Sequence, residues 1–270
     1  MDIVAIICVR EDQDYLTNCL VHLIKNDVSY AIIDNGMGEA GRAVIKLSRF
    51  RKRLVSYTEL PFTGTVELRR QLEKKEEVIA NLGADWVIHL DVDEIMHSYH
   101  EEETLNQAIT RVAHEGYNVI DFDEFVFLPI EEEYQNSNNG IPRLHWYYFF
   151  QPNTSRLMRA RKRCSGLTTL SPSDIGWGGG HRLYGNEIHL AKETFVLRHY
   201  IIRNREHAFT KYFRRVFSEA ELAIGWHNNR IGYPRESYAF PSSDRLRMLQ
   251  NPKSRAFDRS DPKTLHYWQW

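Results

Sequence analysis

The chain has 270 residues, of which 42% are hydrophobic and 26% charged, with a formal net charge of −1. Such a length fits one large α/β domain, or a domain with a C-terminal extension, at roughly 150 residues per domain, and it can bury a substantial core. The near-neutral charge points away from nucleic acid as a partner. The three cysteines, Cys8, Cys19 and Cys164, are odd in number and fit no zinc spacing, which argues for reduced thiols in a cytoplasmic setting.

Residues 1–10 are apolar but lack a basic start and a cleavage site, so they read as a first strand rather than a signal peptide. No apolar run approaches the roughly 20 residues of a membrane helix. Residues 3–9 form a short β-branched run, and Leu16, Leu20 and Leu23 give 15–25 a near-helical spacing. Residues 30–33 predict a second strand, ending in the turn signal Asp34-Asn35-Gly36. A helix over 41–50, an extended segment over 54–58 and a charged helix over 67–82, stopped by Gly83, follow. Residues 86–90 predict a buried strand that runs straight into Asp91-Val92-Asp93.

This alternation predicts a mostly parallel sheet covered by helices, with ligands bound beyond the carboxyl ends of its strands. Three such ends carry polar residues: Arg10-Glu11, Asp34-Asn35 and Asp91-Val92-Asp93. Farther on, the sequence predicts a helix over 101–114, strands over 118–127, 143–150 and 195–202, and polar or glycine-rich loops over 131–140 and 172–180. Phe209, Tyr212, Phe213, Val216 and Phe217 match the i, i+3, i+4, i+7, i+8 stripe of a core-facing helix. The last forty residues are irregular, and there are no internal repeats.

The run 155–163 holds five basic residues and no acid; it reads as a solvated face, with an anionic acceptor or peripheral contact with a membrane surface as the alternative. The loop around Gly178-Gly179-Gly180-His181 reads equally as a mobile connector or as a close backbone approach to a ligand. Three Asp-x-Asp tripeptides occur. Asp12-Gln-Asp14 precedes a helix and reads as a cap. Asp121-Phe-Asp123 falls inside a strand, whereas Asp91-Val-Asp93 follows one at the expected crevice. Carboxylates at i and i+2 on a strand point to one side, so Asp91 and Asp93 are expected to share one cleft, exposed to it. A capped turn in a solvated loop is the competing reading.

The segments Val9-Arg-Glu-Asp-Gln-Asp-Tyr-Leu16, Ile32-Ile-Asp-Asn-Gly36, Ala84-Asp-Trp-Val-Ile-His-Leu-Asp-Val-Asp-Glu-Ile95, and Val196-Leu-Arg-His-Tyr200 with Phe209-Thr-Lys211 resemble, in order, motifs of family 2-type glycosyltransferases with a GT-A fold. The likeness runs over about residues 3–215. Arg10 and Asn35-Gly-Met-Gly38 depart from the family pattern near the expected nucleoside, which leaves the nucleotide open.

The resemblance implies a GT-A-like α/β domain over 1–215, with a nucleotide half over about 1–98 and a mixed acceptor half over about 99–215; residues 216–270, outside the likeness, are expected to form a C-terminal helical extension packed on it. It implies transfer, with inversion, from a nucleoside diphosphate sugar to an acceptor hydroxyl on a saccharide or other molecule. The cofactor would be Mn2+ or Mg2+, a Lewis acid for the departing diphosphate. Carried over by position, Glu11 and Asp34 would contact the nucleoside, Asp91 the ribose or the metal, Asp93 the metal, and His199 would be a third metal ligand. An inverting transfer also needs a general base, for which Glu124 and Asp174 are the candidates. Two other functions remain open: a metal-dependent phosphohydrolase or nucleotidyltransferase using the same carboxylates, and a non-catalytic binding protein.

Overall fold

The computed structural model of the chain describes residues 1–11, 13–136, 144–152, 157–170, 180–231 and 239–270. Its first part alternates β1 (Ile3–Val9), α1 (Gln13–Lys25), β2 (Ser29–Asp34), α2 (Glu39–Lys46), α3 (Ser48–Arg51), β3 (Leu54–Glu59), α4 (Leu68–Ala80) and β4 (Trp86–Leu90). These four strands pair in parallel in the order β3-β2-β1-β4. Parallel strands are covered on both faces and so read as continuous apolar runs. Accordingly Ile3, Ala5 and Ile7 pack with Leu16, Leu20 and Leu23 of α1 on one face, while Val4 and Ile6 meet Val78 and Ile79 of α4 on the other. The register sets Val9 opposite Asp34 and Ile7 opposite Leu90, so the carboxyl ends of β1, β2 and β4 lie side by side.

The second part contains β5 (Glu94–His97), α5 (Leu105–His114), β6 (Val119–Leu128), α6 (Glu131–Asn136), β7 (Trp146–Phe150), β8 (Leu157–Lys162), β9 (Phe195–His199), α7 (Arg205–Ala208), α8 (Glu219–Ala223) and β10 (Arg247–Met248). Strand β8 joins the halves by pairing antiparallel to β4 and to β6. The order across the sheet is β10-β7-β6-β8-β4-β1-β2-β3, with β9 parallel to β6 and antiparallel to β5. The chain is thus an α/β protein on one mixed sheet whose N-terminal half is wholly parallel.

Several details depart from the sequence expectations. The helix over 41–50 divides into α2 and α3, and the loop expected over 131–140 opens with α6. The aromatic stripe after β9 is not one helix: α7 runs into a π turn, Phe209–Phe213. The chain then leaves to bridge Phe217 to Val66, which exposes Val216. The helical turns end at Phe213, so positions 216 and 217 no longer continue the stripe on a helix. The basic run is only in part a solvated face: Lys162 is exposed, and Arg156 lies outside the described residues. In β8, Arg159 and Arg161 are buried, and they donate to Glu94 and Glu76. The C-terminal extension holds one short α-helix among its described residues. It adds β10 to the sheet, and Phe240, Leu246 and Tyr267 to a core cluster shared with Val126 and Tyr148. Among the described residues no helix is long and apolar enough to cross a membrane.

Candidate active site

The crevice beyond β1, β2 and β4 gathers the polar strand ends that the sequence singled out. Asp34, the last residue of β2, is buried. Its Oδ1 accepts from the backbone of Gly36 (3.0 Å) and Met37 (2.6 Å), and its Oδ2 from Arg42 Nε (2.8 Å) and Tyr57 Oη (2.6 Å). Burial alone would raise its pKa, but Arg42, Tyr57 and the two amides together lower it. With four donors already in place, Asp34 orders the turn, and its carboxylate has no free edge for a nucleoside. Glu11 is exposed just past β1. Beside it, the Arg10 guanidinium lies 4.7 Å from the Phe62 ring centroid. Gly36 allows that approach: at φ +93°, a Cβ there would lie 3.2 Å from Phe62 Cβ.

Strand β4 stops at Leu90, and residues 91–94 form a turn closed by Glu94 N–H to Asp91 O (3.1 Å). The strand rule that would aim Asp91 and Asp93 together therefore does not apply. Asp91 keeps 48% of its side chain exposed. Lys75 Nζ, buried on α4, donates to Asp91 Oδ1 (3.2 Å), Leu90 O (3.3 Å) and the neutral His89 Nε2 (3.1 Å). Arg159 Nη2 lies 3.9 Å from Asp91 Oδ2 and donates to Glu94. Burial would raise the Asp91 pKa, yet Lys75 and Arg159 hold it well below the carboxylate range. His89 and His181 are held well below the usual histidine range by burial first, then by Lys75 and Arg159 respectively, so both rings are neutral. Gly180, at φ +83°, packs directly against His89: a Cβ there would lie 2.8 Å from His89 Cε1.

Asp93 turns inward, against the expectation of an exposed cleft residue. Lys211 Nζ, delivered by the π turn, donates to its Oδ2 and to Ile201 O (3.0 Å). His199 Nε2 stands 3.4 Å from the same oxygen, and His199 Nδ1 donates to Glu124 Oε1 (2.6 Å). The register explains the meeting. Glu94 pairs with His199 across β5 and β9, while Val126 pairs with His199 across β6 and β9. Burial would raise the Asp93 pKa, but Lys211 and then His199 lower it strongly. Burial would lower the His199 pKa, but Asp93 and Glu124 raise it well above normal, so His199 is an imidazolium. Two carboxylates and two cations thus form a neutral quartet.

This arrangement does not fit the expected metal set of Asp91, Asp93 and His199. The Lys211 ammonium and His199 both stand on Asp93 Oδ2. Both imidazole nitrogens of His199 are engaged by carboxylates, and a metal-ligating imidazole must offer a lone pair. Among the described residues no three His, Cys, Asp or Glu side chains are placed to hold a metal. Nor does the rival tripeptide form a pair, since Asp123 accepts from Arg259 (2.7 Å). Glu124 is buried against His199, which it orients. Asp174, the other candidate base, lies outside the described residues.

Sequence reasoning passed over Lys75, Arg159 and Lys211 as site residues. Lys75 had a legible signal, because it shares the inward face of α4 with Leu72, Val78 and Ile79, where a lysine is out of place. Arg159 had none, since it looked like any other member of a basic run.

No family model matches the chain, and no curated protein matches it. Among solved structures, it is similar to TarS of S. aureus at 13% identity and TM-score 0.44, over 85% of this chain and 43% of that one. Residues 1–349 of TarS in complex with UDP give 13% identity and TM-score 0.45, over 82% of this chain and 68% of that one. A mannosyltransferase, PcManGT from Pyrobaculum calidifontis, in complex with GDP-Man and Mn2+, gives 10% identity and TM-score 0.33, over 50% of this chain and 37% of that one. The chain spans less than half the length of the full TarS structure. Likenesses this distant carry no argument about what the chain does.

Proposed function

We propose that the chain is a glycosyltransferase that takes its sugar from a nucleoside diphosphate donor. The carrying observation is Asp91: a half-exposed carboxylate beyond the central parallel strand β4, with Lys75 and Arg159 set beside it. A carboxylate at such a crevice accepts hydrogen bonds from ribose hydroxyls, and adjacent cations receive phosphate. Arg10 and Phe62, with Glu11 next to them, form a planar edge for the base one strand away.

In the reaction the acceptor oxygen forms a bond to the anomeric carbon as the bond from that carbon to the diphosphate oxygen breaks. The electron pair leaves on the diphosphate, and the hydroxyl proton passes to a general base. Transfer by this single displacement inverts the anomeric centre. Glu124 is committed to His199, which leaves Asp174 or another residue for the base role. His199 and Lys211 hold the Asp91–Glu94 turn through Asp93 and so act as positioning residues.

Differential scanning fluorimetry and calorimetry with a panel of nucleotide sugars, including UDP-GlcNAc and GDP-mannose, test the donor reading. A donor at about 100 Kd should stabilise the fold by about 2.7 kcal/mol, and Asp91→Asn should abolish that shift. A panel without a binder would remove the donor reading.

A further inference from the structure

We infer that this site, read as a nucleotide-sugar site, holds the diphosphate with its own cations and takes no divalent metal. Two separate pieces of geometry carry this. The first is the seat on Asp93. Lys211 is buried, and its ammonium donates to Asp93 Oδ2 and to the carbonyl of Ile201 (3.0 Å). A divalent ion on Asp93 Oδ2 would have to displace that ammonium and leave it buried without its carboxylate partner. The π turn at Phe209–Phe213 is what points Lys211 inward, and such turns concentrate where function holds an otherwise unfavourable helix geometry.

The second piece is a set of waiting donors on the Asp91 side. The Arg159 side chain is 1% exposed, and only its Nη2 is used, on Glu94. Its Nε and Nη1 are buried with no hydrogen-bond partner, and so is Nδ1 of the neighbouring His181. Buried guanidinium nitrogens are nearly always paired, so two unpaired ones point to an acceptor that the described residues do not supply. The two nitrogens carry positive charge, and each can donate to an oxygen of a phosphate. Lys75, 3.2 Å from Asp91, adds a point charge on the other side of the same carboxylate. The leaving diphosphate would then rest on Arg159 and Lys75, with the Asp91 carboxylate left free for the ribose.

Calorimetric titration of UDP and GDP into the full chain tests this, first in EDTA and then in Mn2+. The expected Kd for the better nucleotide changes by less than about twofold between the two. Arg159→Lys, which keeps the charge but loses donors, should weaken it at least tenfold, measured on the folded fraction. Mn2+ alone should show no binding heat with the native chain. Lys211→Met empties the seat on Asp93 and should gain a measurable Mn2+ isotherm, while Lys211→Arg should not. Nucleotide binding that disappears in EDTA and returns tenfold or more with Mn2+ overturns the inference and leaves the donor reading standing. Failure of both nucleotides to bind under either condition overturns the donor reading and the inference with it.

Discussion

Lys211 and Asp93 form a buried ion pair although they stand 118 positions apart in the chain. The pair ties the turn after β4 to the π turn after α7, and so ties the parallel half of the sheet to the chain beyond β9. Breaking a buried pair by removing one member costs about 3–5 kcal/mol, because the other charge is left uncompensated. Asp93→Ala is therefore expected to lose activity and stability together, with a clear fall in melting temperature. The double variant Asp93→Asn with Lys211→Met should recover much of the stability lost by either single change, giving a coupling of at least about 1 kcal/mol in a double-mutant cycle. Additive losses would show that the two side chains do not depend on each other.

Asp34 should behave as a structural residue. Its carboxylate accepts from Gly36, Met37, Arg42 and Tyr57, and hydrogen bonds to a buried charge contribute about 1.5–3 kcal/mol. Asp34→Ala should lower the melting temperature by several degrees, and Tyr57→Phe by less. Nucleotide affinity, measured on the fraction that remains folded, should change little. Loss of affinity at unchanged melting temperature would return Asp34 to the ligand.

Asp91 should show the opposite pattern. Half of its side chain is exposed, and Lys75 keeps the carbonyl of Leu90 and His89 as partners when the carboxylate is gone. Asp91→Ala is expected to cut kcat/KM by about 100-fold, a loss of about 2.7 kcal/mol of transition-state stabilisation. Its melting temperature should stay within about 2 °C of the native value. Near-native turnover in this variant would take Asp91 out of the site.

The parallel half of the sheet was legible because its strands announce themselves as unbroken apolar runs: residues 3–9, 30–33 and 86–90 fall within or on β1, β2 and β4. The crevice followed from that order, and Asp91 with it. The contacts at the site were less legible, because they depend on register between distant segments. Nothing local to Asp93 shows that β5 will pair with β9 and bring His199 beside it, or that a π turn will bring in Lys211. The rule of alternating side chains failed at 91–93 because the strand ends one residue before the motif. The basic run misled for a related reason: β8 lies inside the sheet between β4 and β6, so Arg159 and Arg161 are buried with acids contributed by other elements.

A pH dependence of stability should arise away from the site. The ring of His22 on α1 donates from Nε2 to the carbonyl of Met96 (2.6 Å) and meets His97 edge-on at 4.7 Å between centroids. Burial lowers the His22 pKa to about 4, and burial followed by His22 itself lowers that of His97 well below normal. Histidines in the unfolded chain take up protons near pH 6.5, so between pH 6.5 and about 4 the unfolded state binds more protons than the folded one. Stability is then full above pH 6.5 and falls as pH drops, by up to about 1.4 kcal/mol per pH unit for each such group. Urea titrations of the native chain and of His22→Gln at pH 7 and pH 5 check this. The variant should lose less stability on acidification, and an equal loss in both would exclude His22 as a source.

The most direct measurement is product analysis by NMR after incubating the chain with a binding nucleotide sugar and a panel of saccharide acceptors. Transfer should give a new glycosidic bond with inverted anomeric configuration and one equivalent of nucleoside diphosphate. Cleavage between the two phosphates, releasing a sugar phosphate and a nucleoside monophosphate, would contradict the reading and identify a phosphohydrolase instead.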